Sequence, residues 1–148
     1  MDKFPKLNFK PIRFQARRQG EKTMIWDSLR RCYLVLTPEE WVRQHLISML
    51  INEKGVSPVH IIQEYPINLN GQAQRADVVI LDQSLRPAIL IECKAPDVEI
   101  TKEVLDQAVR YNSILKARHI MLTNGIQHHY YSTEDGINYS VRNVFPTL

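Results

Sequence analysis

The sequence predicts an α/β fold with a mixed central sheet, and three observations carry that prediction. Residues 75–96 (RADVVILDQSLRPAILIECKAP) hold two apolar runs, rich in Val and Ile, around a short polar turn. That pattern reads as an antiparallel hairpin. Two stretches with helical spacing, 37–53 and 101–116, flank it. The second of these separates the hairpin from a further apolar run at 119–123, so it is a crossover between parallel neighbours on one face of the sheet. The order is helix, three strands, helix, strand, strand.

Each element has a local reason. Residues 1–34 read as a basic arm and lead-in, and 35–148 as a single domain. The first 24 residues carry seven Lys/Arg (Lys3, Lys6, Lys10, Arg13, Arg17, Arg18, Lys22) against Asp2 and Glu21, whereas the net charge of the whole chain is +3. Such an arm suits contact with phosphates; a solvated tail is the plainer alternative. Phe4, Phe9, Ile12 and Phe14 say that the arm also packs on something. Residues 32–36 form a strand or extended lead-in. Thr37-Pro38-Glu39-Glu40 then opens the first helix, with Thr37 as N-cap, Pro38 at the first helical position and Glu40 completing a capping box. Val42, Leu46, Met49 and Leu50 form its buried stripe, and Gly55 closes it. Residues 60–69 make the first strand of the sheet, ending in the turn at Asn70-Gly71. After the hairpin, Pro96 marks a break, and Val104, Ala108, Tyr111 and Leu115 line one side of the second helix. Asn124-Gly125 is a strong hairpin turn, and Asp135-Gly136 leads into a last strand at 138–144.

Composition narrows the function classes. A chain of 148 residues suits one domain with a proper core. No apolar run approaches the roughly 20 residues of a membrane span, and the N-terminus has no apolar leader segment. Cys32 and Cys93 lack metal-ligand spacing and read as reduced thiols of a cytoplasmic protein. The histidines show no zinc pattern, and none of the five glycines belongs to a P-loop.

The chemistry collects in the hairpin. With 83–86 as the loop and Asp82 facing Pro87, counting outward sets Asp77 directly across from Glu92. Opposite residues of an antiparallel pair share a face, and alternation brings Lys94 to the same side as Glu92. Paired carboxylates repel unless a cation joins them or one keeps its proton. A Glu-x-Lys pair on a half-exposed strand is commonly just a solvated face. Here it follows Ala88-Ile89-Leu90-Ile91, a run that looks buried on both sides, where unpaired charge is costly. Asp77 and Glu92, with a backbone carbonyl near Cys93, offer hard oxygens suited to Mg²⁺ or Mn²⁺. Gln107 and Tyr111, four apart, share one side of the second helix. Glu39 and Glu40 need no function at a helix start, which favours acids in any case.

Asp77, then fourteen residues, then Glu92-Cys93-Lys94, inside an αβββαβ order, resembles the PD-(D/E)XK nuclease superfamily with its restriction-endonuclease-like fold. Gln107-x-x-x-Tyr111 resembles the helical motif of its RecB-like branch. With Thr37-Pro38-Glu39-Glu40-Trp41-Val42-Arg43-Gln44 and Leu122-Thr123-Asn124-Gly125, the likeness is greatest to the N-terminal nuclease domain of type I restriction enzyme R subunits, over roughly residues 35–130. Ala76 stands where many members of the superfamily have proline.

The resemblance implies a metal-dependent DNA endonuclease. Asp77 and Glu92 would hold Mg²⁺ (or Mn²⁺), with a first-helix glutamate, Glu40 in preference to Glu39, as a further acid. Lys94 would act on the attacking water and the charge of the phosphorane. Gln107 and Tyr111 would support Lys94 or contact DNA, while Arg75 and Arg43 would reach phosphates. Type I R subunits carry an ATP-driven translocase after this domain. The expected partners are therefore DNA together with a second copy of the chain or a separately encoded motor or specificity subunit. The alternatives are a non-catalytic DNA-binding or regulatory module that kept the fold, which is expected to lack Asp77, Glu92 or Lys94, and a structural partner whose acids form surface ion pairs. All three residues are present.

Overall fold

A computed structural model describes residues 3–148. In chain order the elements are β1 (Ala16–Gln19), β2 (Lys22–Asp27), β3 (Cys32–Val35), α1 (Pro38–Asn52), a single 3₁₀ turn (Pro58–His60), β4 (Ile61–Leu69), β5 (Gln72–Leu81), β6 (Pro87–Cys93), α2 (Lys102–Leu115), β7 (His119–Thr123), β8 (His128–Thr133) and β9 (Tyr139–Arg142). Strands β4 to β9 form one mixed sheet in sequence order, and β1 to β3 a separate small sheet. The β6–β7 pair is parallel, with α2 as its crossover, and the other neighbours are antiparallel. The α/β architecture is the expected one. Residues 16–27, however, fold as a hairpin that the basic composition of the arm gave no sign of.

The sheet is covered on both sides. Val42, Leu46 and Leu50 of α1 pack with Val78, Ile80, Ile89 and Ile91. Ala108, Tyr111 and Leu115 of α2 pack with Val79, Leu90, Ile120 and Leu122 on the other side. The 88–91 run of β6 is therefore enclosed by both helices, as its unbroken apolar character requires. Met49 of the expected α1 stripe is only partly buried.

Helix α1 starts where its caps place it, with Thr37 Oγ1 accepting from the Glu40 N–H at 3.0 Å. The return half of the capping box is not made, because the Glu40 carboxylate turns inward to Arg43 and Gln44. The segment ahead of the small sheet straps across this helix. Trp41 donates its indole N–H to the Pro5 carbonyl, and Phe9 lies 4.5 Å from the His128 ring. Leu7 is buried against Gly125 and Val42. A Cβ on Gly125 would stand 2.8 Å from a Leu7 methyl, at a φ of +86°, so this turn needs glycine twice over.

Two irregularities shape the sheet. The hairpin loop is 82–86 rather than 83–86: Leu81 faces Pro87, Asp82 donates its N–H to the Arg86 carbonyl, and a bulge beyond Ile80 absorbs the difference. From Ile80↔Ile89 to Val78↔Ile91 the register is the expected one. The second irregularity is at Glu64, whose φ is +56° in the middle of β4. Pairing runs through Gln63↔Val78, skips Glu64, and resumes at Tyr65↔Ala76. A strict period of two would put Ala76 under the same helix as Val78. Instead Ala76 lies with Val79 in the α2 layer, and Val78 with Ile80 under α1. The β4–β5 ribbon turns over at Glu64 and Asp77.

Candidate metal and phosphodiester site

Strand β5 pairs with both neighbours down to Val78, beyond which only β4 accompanies it. Asp77 sits at that fork. The next rung across would join it to Glu92, yet the rung is closed by a side chain: Asp77 Oδ2 accepts the Cys93 N–H at 2.8 Å. Backbone left unpaired by the divergence of two strands is thus satisfied by a carboxylate, which fixes the position of Asp77.

Glu92 is 8% exposed, and its Oε1 is buried with no hydrogen-bond partner. Burial first, and the neighbouring Asp77 carboxylate second, push its carboxyl well above the ordinary range, with Lys94 pulling the other way. Without a bound cation the pair holds a proton at neutral pH. Lys94 continues the strand, donating its N–H to the Thr123 carbonyl at 2.8 Å. Cys93 contributes only its backbone, since burial and the adjacent carboxylates push its thiol up and keep it neutral.

Helix α1 brings two glutamates near this fork, and they differ. Glu40 is buried and committed: Arg43 Nε and Nη2 both donate to it, Gln44 Nε2 donates at 2.9 Å, and Arg30 Nη2 lies 3.7 Å away. Glu39 is exposed at the mouth. Partial burial, then the Asp77 charge, raise its carboxyl, while Lys94 and Arg43 lower it. Both glutamates line the same cavity; Glu40 is already engaged by its ion pair, whereas the exposed Glu39 carboxyl responds to the charges of Asp77 and Lys94. Thr37, Glu39, Glu40, Arg43, Glu64, Asp77 and Cys93 line a cavity of about 70 Å³, with room for an ion and water. Among the described residues no three His, Cys, Asp or Glu side chains close into a ready-made cage. Two carboxylates, of which Asp77 lines the cavity and Glu92 is buried, leave positions for water and so suit a cation that keeps part of its water shell, as Mg²⁺ does. The orphaned Glu92 oxygen beside Asp77 fits such an ion.

Arg43 does not reach outward. Besides Glu40 it donates to Glu64 Oε1 at 2.6 Å. Burial alone would lower its pKa, but these two partners more than reverse that. The guanidinium expected to reach phosphates is engaged inside the protein by Glu40 and Glu64. Behind it lies a buried network that sequence reasoning missed. Asp27, 1% exposed, accepts from the Leu29 and Arg30 N–H groups, from Arg30 Nε at 3.0 Å, and from Gln44 and Gln63. Burial raises its carboxyl, and these bonds, led by those from Arg30, bring it below its ordinary value. Asp27, Arg30, Glu40, Arg43 and Glu64 thus link the small sheet, α1 and β4.

The remaining expected residues spread around the fork. Arg75 is exposed two residues before Asp77. Tyr111 is buried and donates its hydroxyl to Gln74 Oε1 on the same arm of β5, at 3.2 Å. Gln107 accepts from Arg110 Nη2 at 2.7 Å, so the structure binds neither Gln107 nor Tyr111 to Lys94. Among the described residues no helix is long and apolar enough to cross a membrane.

Residues 38–146 match the family described as type I restriction enzyme R protein N terminus. No curated protein matches the chain.

Proposed function

We propose, from the premise that the chain belongs to the family of type I restriction enzyme R protein N termini, that it hydrolyses phosphodiester bonds in DNA with a divalent cation. In this reading it is a nuclease of the PD-(D/E)XK kind. The observation that carries the proposal is the fork itself: a buried Glu92 oxygen without a partner, an adjacent Asp77 anchored by the Cys93 N–H, and Lys94 immediately after β6. Asp77 and Glu92, with the Cys93 carbonyl and Glu39 in place of Glu40, would hold Mg²⁺ or Mn²⁺. The ion would supply Lewis acidity for the scissile phosphate and a lowered pKa for a bound water.

The protein groups have separate tasks. The Cys93 N–H fixes Asp77, so one carboxylate is placed before any ion arrives. Glu92 would release its proton to solvent on binding a cation and serve as a carboxylate ligand. Lys94 orients the attacking water and stabilises negative charge as the phosphorus–oxygen bond to the leaving group breaks. Tyr111 holds the free arm of β5 through Gln74, and Arg75 on that arm offers a phosphate contact. A motor or specificity subunit, or a second copy, belongs to this proposal as a partner that brings DNA to the fork.

The test is cleavage of supercoiled plasmid and of single-stranded DNA with Mg²⁺, Mn²⁺ or EDTA, with Glu92→Ala and Lys94→Ala beside the unaltered protein. Metal-dependent nicking that both substitutions abolish is the expected result. Nicking that survives either one removes this site from the mechanism.

A further inference from the structure

We infer that the β1–β2 hairpin is a grip for the sugar–phosphate backbone of DNA, set beside the mouth of the site but outside the family-matched region. The family match begins at residue 38, and the small sheet lies wholly before it. The inference rests on the reading of the chain as a DNA-cutting enzyme for the choice of DNA as occupant.

All four residues of β1 are exposed. Arg17 on β1 and Lys22 at the start of β2 share one face with Trp26 and Tyr33, as the register Gln19↔Lys22, Arg17↔Met24 and Trp26↔Tyr33 requires. The Arg17 guanidinium lies 3.9 Å from the Tyr33 ring centroid, and Tyr33 packs edge-on against Trp26 at 5.1 Å. Arg18 pairs with Thr23 and so lies on the reverse of the ribbon, the side of Ile25 and Asp27, where it donates to Thr23 Oγ1. Among the described residues none of Arg17, Arg18 and Lys22 has an acidic partner, whereas Lys10, Arg30, Arg43, Lys102 and Arg118 do. Arg17 and Lys22 beside the aromatic rings, with Arg18 on the reverse and Glu21 in the turn, leave the ribbon with a net positive charge that matches a polyanion.

The ribbon is held in place. Ile25 is fully buried and Asp27 is the hub of the buried network, so the inner face of β2 is fastened to α1 and β4. Near the tip, the Thr23 carbonyl accepts the Leu36 N–H at 2.8 Å. Leu36 immediately precedes the N-cap of α1, and Glu39 lies in that helix's first turn. The cations at the tip of the hairpin are therefore tied through the backbone to the helix start at the mouth of the fork. Charged side chains on an edge strand also discourage strand pairing between copies. That role asks nothing of salt-dependent DNA binding, which separates the two.

The experiment is DNA binding without metal, in EDTA, as a function of salt, using Glu92→Gln protein so that cleavage plays no part. In that background Arg17→Gln/Arg18→Gln/Lys22→Gln is compared with Arg17→Lys/Arg18→Lys. A third protein has Lys54→Gln/Arg86→Gln/Arg118→Gln, which removes equal charge from the cavity those residues line at the far end of the sheet. The hairpin triple is expected to bind on the order of tenfold more weakly at ~0.1 M salt, and to lower the slope of log K against log salt by about one per cation lost. The lysine variant keeps the slope and the far-end triple changes it little. An unchanged slope in the hairpin triple overturns the inference, and so does an equal loss in the far-end triple or no binding by the Glu92→Gln parent. Failure of the nuclease reading is seen separately, as absence of metal-dependent cleavage in protein that binds DNA with the expected slope.

Discussion

Arg43 on α1 donates to Glu64 on β4 at 2.6 Å, and Glu64 is the one residue of that strand with a positive φ. A non-glycine residue in this conformation costs on the order of 1–2 kcal/mol. What holds it there is a guanidinium only 12% exposed at the side chain and shared with a Glu40 carboxylate that is 6% exposed. Arg43→Met leaves Glu40 buried without its main partner and is expected to destabilise the fold by about 3–5 kcal/mol. Replacing both, as Glu40→Gln/Arg43→Met, removes the stranded charge and is expected to cost less than Arg43→Met alone. Urea unfolding of the two proteins checks this; a larger cost for the double variant refutes the charge argument.

The pH dependence of stability follows from Glu92. Its ordinary value is 4.5 and its folded value is raised by burial and by Asp77. The folded chain thus keeps a proton that the unfolded chain releases, so stability of the metal-free protein falls as pH rises from about 4.5 towards the raised value. Glu92→Gln removes that fall, and in EDTA its Tm is expected to exceed that of the unaltered protein above neutral pH. Excess Mg²⁺ should raise the Tm of the unaltered protein, more so at higher pH because the ion displaces a proton, and leave Glu92→Gln unmoved. Thermal melts between pH 5 and 8, with EDTA or Mg²⁺, test both statements; a Tm independent of pH and metal would count against a shared proton.

Much of this arrangement is legible in the sequence because it depends on alternation and turns. Asp82 and Pro87 bound the hairpin closely enough that, despite the bulge, the counted register holds down to Val78↔Ile91, one rung short of Asp77 and Glu92. Similar counting from Asn70-Gly71, which sets Leu69 against Gln72, would have brought Glu64 opposite Asp77. Its positive φ breaks the rung, and no propensity announces a glutamate in that conformation. The sequence separates Glu39 from Glu40 poorly for a different reason. Both fit the start of α1, and only the tertiary positions of Arg30, Arg43 and Gln44 show which is already bound. The small sheet escaped notice because Arg and Lys mask the alternation of 16–27, whose inner face has Ile25 and Asp27 as its fully buried residues.

Gly125 ties the N-terminal strap to the turn after β7. Gly125→Ala puts a methyl 2.8 Å from Leu7 Cδ2 and forces alanine into a left-handed φ. The expected cost is about 1–3 kcal/mol. Because Pro5 and Phe14 both contact Trp41, release of the strap should also change tryptophan fluorescence before the main unfolding transition. Leu7→Ala/Gly125→Ala should recover part of the loss seen in Gly125→Ala, since the flexible partner of the clash is gone. No recovery would mean that backbone strain, not the clash, dominates.

The two glutamates of α1 separate binding from stability. Glu39 is exposed and its carboxyl responds to Asp77 and Lys94, so Glu39→Gln removes charge from the mouth without disturbing the core. Its stability should change by no more than about 0.5 kcal/mol, while Mg²⁺ affinity and metal-dependent cleavage fall about tenfold or more. Glu40→Gln acts the other way. It weakens three charge-assisted bonds from Arg43 and Gln44 inside the protein and should destabilise by about 1–3 kcal/mol. Its effect on Mg²⁺ affinity, measured well below its own Tm, should be slight. Isothermal titration with Mg²⁺, alongside urea unfolding of each variant, gives the four numbers. If Glu40→Gln loses the metal and Glu39→Gln keeps it, the ion pair with Arg43 must open when the cation enters, and Glu40 becomes the ligand.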